Sequence, residues 1–231
     1  MVALPLGAAA PMMQTEPKAL ALDIRDVSKR YGPRWALARL SYSLPLGTSL
    51  LLTGHNGSGK STLLRIIATS SSPTAGGLSV LGLDAREQRE DVRRQTALLS
   101  HSSFLYEDLT AEQNLLLLAR LLGAAHARDI VSGLLTKVGL ATRADHAVRT
   151  FSAGMRKRLA IARVLLKQPR LVLLDEPFGE LDPAGIAAME KIIGEMQDKG
   201  TTVILATHLI EQGRALTQRR LHLREGRAVA A

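Results

Sequence analysis

Cysteine is absent, which excludes structural disulfides and thiolate metal sites and suits a reducing compartment. Aromatic residues make up only 3% of the chain, so its core must be aliphatic and few rings are available to stack on exposed bases. Long apolar runs are missing as well. The most apolar one, Leu115 to Leu122, is interrupted by Arg120 and falls far short of the roughly 20 residues a membrane-spanning helix needs. Early basic residues are missing from the stretch Met1 to Leu20, and its apolar run is short and broken by proline, unlike a secretory signal. Residues 1–19 are therefore expected to form a flexible extension, and the chain is expected to be soluble.

What the sequence does have is enough apolar residue, 46% of 231, for one large domain or for a core with a subdomain inserted in it. The formal net charge is +9, carried more by Arg than by Lys. Such an excess fits nucleic acid, an anionic membrane surface, or simply a solvated basic face. The scarcity of aromatics and the lack of a block of five consecutive basic residues weigh against nucleic acid, which is not expected as a partner.

Apolar spacing divides the chain into alternating elements. Strands are expected at Ala21–Ile24, Leu37–Leu44 and Ser49–Leu52, a helix at Lys60–Ala68, and a further strand at Gly76–Leu83. The middle third reads as helices, Ala111–Leu122 and Arg128–Val138, within a helical subdomain of about residues 101–158. The alternation then resumes with helix Ser152–Leu166, strand Leu171–Leu174, helix Ala184–Gln197 and strand Thr202–Ala206. Strands and helices alternating at this length imply a mainly parallel sheet covered on both faces. Arg220–Leu223 and Arg227–Val229 read as a closing antiparallel pair that turns at Glu225 and Gly226.

The strongest chemical signal is the run Gly54, His55, Asn56, Gly57, Ser58, Gly59, Lys60, Ser61, a full match to the phosphate-loop pattern G-x-x-x-x-G-K-[ST]. It follows a buried strand and opens a helix, the context that this motif requires. Glycines let backbone N–H groups curl around phosphate oxygens, and the helix N-terminus adds partial positive charge. Lys60 can reach the β- and γ-phosphates, and the Ser61 hydroxyl can ligate Mg²⁺, with Thr62 beside it. A second signal is the apolar run from Leu171 to Leu174 that ends in Asp175 and Glu176. A strand buried on both faces delivers its last residues to the crevice at the sheet's carboxyl edge. Asp175 there is a candidate Mg²⁺ ligand, and Glu176 a candidate base for an attacking water.

Between these two signals, Phe151, Ser152, Ala153, Gly154 and Met155 resemble the signature of the ABC ATPases, whose usual form is Leu-Ser-Gly-Gly-Gln. Ser152 and Gly154 match it; Ala153 and Met155 depart from it. Further elements stand in the family's order: His208 resembles the switch histidine that contacts the γ-phosphate. Leu181 and Asp182 resemble the loop that couples two sites, with Gly179 and Glu180 in place of the more usual Ser-Gly. Tyr31 resembles the aromatic that stacks on adenine. The glutamine expected ahead of the helical subdomain is replaced by His101, a substitution that resembles the haem-exporter ATPases of cytochrome c maturation.

The resemblance covers about residues 20 to 229. It implies an α/β P-loop NTPase of ABC type, with a mainly parallel core, an antiparallel β-subdomain and the inserted helical subdomain. It implies an Mg²⁺-dependent ATPase acting as a homodimer, with ATP sandwiched so that Ser152 and Gly154 complete the other subunit's site. It implies integral membrane subunits as partners, at the cytoplasmic face of the inner membrane, and His101 as a contact of the metal site. The task expected first is haem handling for c-type cytochromes. The alternatives are another exporter of drugs, lipids or polysaccharide, and a non-transport ABC ATPase.

Overall fold

The computed structural model describes residues 19–100 and 104–229. His101 and nearly all of the expected N-terminal extension lie outside the described residues.

The chain opens on two strands, β1 (Leu20–Tyr31) and β2 (Arg34–Pro45), paired antiparallel around a tight turn. Both run well beyond the expected Ala21–Ile24 and Leu37–Leu44, because their polar outer halves still pair with each other. The short buried strand β3 (Leu50–Thr53) leads through a glycine-rich loop into helix α1 (Lys60–Ile67). Instead of one strand over Gly76–Leu83 there are two, β4 (Ala75–Val80) and β5 (Leu83–Asp84), hydrogen-bonded antiparallel to each other. Leu81 and Gly82 both take positive φ, 53° and 82°, and turn the chain back on itself.

Helix α2 (Arg89–Gln95) and strand β6 (Thr96–Leu99) follow, neither of them anticipated. Next come α3 (Ala111–Leu121) and α4 (Ala127–Lys137). The start of α3 is a capping box: the Thr110 hydroxyl accepts from the Gln113 N–H, and the Gln113 side chain accepts from the Thr110 N–H, satisfying donors that a helix start leaves free. The remaining elements are α5 (Ala153–Lys167), β7 (Leu171–Asp175), α6 (Pro183–Asp198), β8 (Thr202–Ala206), the unanticipated α7 (Ile210–Ala215), β9 (Arg219–Arg224) and β10 (Arg227–Val229).

Two sheets result, one of four strands in the order β2-β1-β4-β5 and one of six in the order β10-β9-β3-β8-β7-β6. The first is antiparallel. The second is parallel except for β10, which pairs antiparallel with β9. This is the expected α/β architecture with its antiparallel sheet and closing pair.

Why β3, β7 and β8 read as unbroken apolar runs is visible in the core. Leu50, Leu52, Leu171, Leu173 and Ile204 point to one face, where they pack with α1 residues Leu63 and Leu64 and with Leu22 and Leu37 of the antiparallel sheet. Leu51, Val172, Leu174, Val203 and Leu205 point to the other, with Leu115, Leu135, Leu159, Ile161 and Ile193 of the helices. Alternate residues thus serve opposite layers, so every position is apolar. Burying each such leucine is worth about 1.5–3 kcal/mol, which fixes the strand ends firmly in space. Among the described residues, no helix is long and apolar enough to cross a membrane.

Candidate functional site

Strands β3, β7 and β8 end side by side: Leu52 pairs with Ala206, and Asp175 pairs with Ala206 from the other side. The glycine-rich loop leaves β3 at this edge. Gly54 has φ 145° and Gly59 φ 107°, values that L side chains rarely adopt. Space excludes larger residues as well. A Cβ on Gly54 would lie 2.3 Å from the Leu223 carbonyl oxygen, and one on Gly59 2.5 Å from that of Ala36. The loop closes with Ser58 N–H donating to the His55 carbonyl at 3.1 Å, and Leu63 N–H donating to Gly59 at 2.9 Å. No side chain caps α1 and no acidic residue occupies its first turn, so its unpaired N–H groups remain for an anion.

Lys60 is buried, with 7% exposure. Its ammonium donates back to the carbonyls of Gly54, at 2.7 Å, and His55, at 3.2 Å. The charge is thereby held over the loop, where phosphate oxygens can replace these carbonyls as its acceptors. Gly59→Ala is expected to weaken ATP binding at least about tenfold, since a non-glycine residue forced to such a φ costs about 1–3 kcal/mol before any clash. Titration with a fluorescent ATP analogue checks this.

Facing the loop, Asp175 is buried at the end of β7. Glu176 then takes φ 52°, and its N–H donates to the Ala206 carbonyl at 2.8 Å. This left-handed step turns the carboxylate off the strand axis towards α1. Its Oε2 accepts from the His208 N–H at 3.1 Å. Its Oε1 lies 3.2 Å from His208 Nε2, yet the geometry makes no aligned hydrogen bond and the oxygen is buried without a donor. An orphaned carboxylate oxygen beside a phosphate-binding loop is a free acceptor for a water proton.

These groups line one cleft of about 340 Å³: Asn56, Gly57, Gly59, Lys60, Ser61 and Thr62 on the loop side, Asp175, Glu176 and His208 opposite, and Tyr31 at the rim. Two other clefts are larger, about 640 and 650 Å³, but neither includes a residue of the phosphate loop; chemistry, not volume, distinguishes the smaller one. Tyr31 is half exposed, its ring 5.0 Å from Lys29 Nζ, and presents a face on which a base can stack.

Three loop residues named from the motif do not line the cleft. Gly54 lies beneath the loop, His55 turns its Nδ1 to the Asn56 carbonyl at 2.7 Å, and Ser58 is fully buried with its hydroxyl unpartnered. Ser152, Gly154 and Asp182 also lie outside the cleft. Ser152 caps α5 by accepting from Met155 N–H at 3.2 Å, and Asp182 caps α6 by accepting from Gly185 N–H at 2.8 Å. The sequence reading missed Arg34 and Ala36, which do line the cleft. Their spacing of two along a strand that starts beside Tyr31 was the available signal.

The ABC transporter family profile matches residues 37–179, a span that holds the phosphate loop, Ser152–Met155, Asp175 and Glu176. The chain belongs to the ABC transporter family. It is 34% identical over 211 residues to Nod factor export ATP-binding protein I of Burkholderia orbicola, covering 90% of this chain and 69% of that one. It is 37% identical over 212 residues to a daunorubicin resistance ATP-binding protein of Streptomyces coeruleorubidus, covering 91% and 67%. Among solved structures, an ATP-binding subunit of an ABC transporter superposes with a TM-score of 0.84 at 31% identity, over 91% of this chain and 88% of that one. A dimeric ATP-binding cassette in a post-hydrolysis state, bound to ADP and Pi, superposes with a TM-score of 0.82 at 25% identity, over 90% and 97%.

The protein is thus the ATP-binding subunit of an ABC transporter, built on a domain whose chemistry is ATP hydrolysis. The narrower expectation fares differently. These relatives are named for Nod factor export and daunorubicin resistance, not for haem export, and His101, on which the haem reading rested, lies outside the described residues.

Proposed function

We propose that this chain is the Mg²⁺-dependent ATPase of an ABC exporter for drug, lipid or polysaccharide cargo. It works as a homodimer against integral membrane subunits at the cytoplasmic face of the inner membrane. One observation carries the reading: a single cleft gathers the phosphate loop, Asp175, the orphaned Glu176 carboxylate and His208. Two relatives named for export and for drug resistance favour an exporter over haem handling.

Among the described residues no group of three or more His, Asp or Glu side chains could hold a metal by itself. A single Asp with the Ser61 hydroxyl therefore fits an ion that takes its other ligands from nucleotide phosphates and water, as Mg²⁺ does. Held by Asp175 and the Ser61 hydroxyl, Mg²⁺ would supply charge neutralisation for the nucleotide phosphates. The protein's own residues do the rest. Loop N–H groups and the Lys60 ammonium grip the phosphates, and Tyr31 stacks on adenine. Glu176 Oε1 accepts a proton as water oxygen attacks the γ-phosphorus and the bond to the ADP oxygen breaks. His208 holds the Glu176 carboxylate in place and reaches towards the γ-phosphate.

Docking has support of its own. The cleft of about 650 Å³ beside α1, β6 and α5 is lined by Arg65, Arg93, Arg163 and Lys167 and rimmed by exposed Phe104. Burial, and then the neighbouring Arg93, hold Lys167 below the ordinary lysine value. An acidic segment of a membrane subunit would relieve such crowded cations.

The reading is tested by purifying the tagged chain from its host membrane and identifying the untagged membrane subunit by mass. In parallel, haem-stained denaturing gels are run on the deletion strain and on cells carrying Lys60→Ala. The expected result is an exporter permease and wild-type levels of covalently bound haem in c-type cytochromes. Loss of that haem while b-type haem persists would transfer the assignment to haem handling.

A further inference from the structure

The mechanism above leaves one buried charge unused. Lys157, in the second turn of α5, is 6% exposed, and lysine is almost never buried without a partner. No carboxylate pairs with it among the described residues. Its ammonium instead donates to the backbone carbonyl of Glu176, at 3.2 Å.

That carbonyl belongs to a peptide under constraint. Glu176 is a non-glycine residue at φ 52°, a conformation that persists only when its surroundings hold it there. Strand β8 holds the N–H side through the Ala206 carbonyl, at 2.8 Å. On the carbonyl side, Gly179 N–H donates at 3.3 Å, and Lys157 reaches in from a different element. A second contact joins the same two segments: a Cβ on Gly154 would lie 2.9 Å from the Glu180 carbonyl oxygen, so the first turn of α5 rests directly on the loop that follows the acid. The start of α5 therefore bears on both ends of residues 176–180.

We infer that Lys157 is a positioning residue, a strut through which helix α5 holds the Glu176 backbone in the conformation that aims its carboxylate at the nucleotide. The inference rests on the reading of Glu176 as base and of Ser152–Gly154 as the contact to the other subunit's ATP. On that reading, engagement of the α5 N-terminus by the partner's nucleotide is transmitted through Lys157 to the acid of the opposite site. Dimer closure and hydrolysis become linked by a hydrogen bond within each subunit.

The test uses the full chain. Lys157→Met keeps length and removes the donor. It is expected to bind ATP with affinity within twofold of native, to accumulate as an ATP-bound dimer in sedimentation, and to turn over at least about tenfold more slowly, since a misplacement of about 1 Å can cost about a hundredfold. In a Glu176→Gln background the same change is expected to slow single-turnover hydrolysis by less than about twofold, because both act on one step. A merely structural lysine would lower ATP affinity and dimer yield along with the rate, in either background. If Lys157→Met does not melt as one cooperative transition, Lys157→Leu, which also carries no donor, gives the same comparison. Turnover within twofold of native, or a loss that is additive with Glu176→Gln, overturns the strut. Near-normal turnover of Glu176→Gln alone would instead remove the base reading beneath it, so the two failures are distinguishable.

Discussion

Glu176→Gln is expected to bind ATP normally and to hydrolyse it at least about a hundredfold more slowly than the native chain, the scale of a well-placed general base. The substitution keeps the shape of the side chain and one acceptor oxygen. The backbone bonds of residue 176 to Ala206 and Lys157 do not involve the carboxylate, so the strand end should stay in place. What is lost is the carboxylate oxygen Oε1, the atom that the fold buries without an aligned hydrogen-bond donor. An amide there cannot take a proton from water at neutral pH. On the proposed reading nucleotide affinity rests on other groups, the loop N–H donors, Lys60 and Tyr31, and should change little. Rapid-quench measurement of phosphate release with equilibrium binding of an ATP analogue separates the two effects. Near-normal release would show that water is activated by some other group.

Much of this site was legible in the sequence because it is built from backbone and from strand ends. The phosphate loop announces itself through glycines, and Gly54 and Gly59 are glycine for reasons of φ and space that any such loop shares. Asp175 and Glu176 follow an apolar run whose burial on both faces forces them to the sheet edge. What the sequence hid depends on side chains that cross between elements. Lys157 sits in a basic run, Arg156 to Arg158, in which nothing in the sequence marks it out from its neighbours; only helix rotation sends the middle residue inwards to the Glu176 carbonyl. Arg34 sits beside an exposed tryptophan near a turn, and only its spacing of two from Ala36 on a strand beside Tyr31 hints that it faces a loop some twenty residues away. Helix α2 was missed because Val92 is its only buried residue, too little to register as a period. Gly76–Leu83 forms two strands rather than the one expected because Leu81 and Gly82 reverse the chain within it. The haem reading has no support from the relatives named above, which point to an exporter, and the residue that suggested it, His101, lies outside the described residues.

Ser152→Arg is expected to abolish ATP-driven dimerisation, weakening association by more than about a hundredfold, because burying an unpaired charge costs several kcal/mol and each 1.4 kcal/mol is tenfold. Ser152 has no role in the cleft of its own chain. Its hydroxyl caps α5 by accepting from Met155 N–H, and both it and Ala153 are exposed at the positive end of a fifteen-residue helix. An exposed helix start is suited to a phosphate brought by another molecule. The proposed head-to-tail pair of chains would bring one, held on the phosphate loop of the facing cleft. Arginine at position 152 removes the cap and places a long side chain where the two surfaces must meet. It leaves the phosphate loop of its own chain intact, so ATP binding to the monomer should persist. Sedimentation of Glu176→Gln with saturating ATP should give a dimer, and the double variant Ser152→Arg, Glu176→Gln a monomer that still holds nucleotide. If the double variant sediments as a dimer, α5 does not complete the other chain's site, and the path from Ser152 through Lys157 to Glu176 carries no signal between subunits.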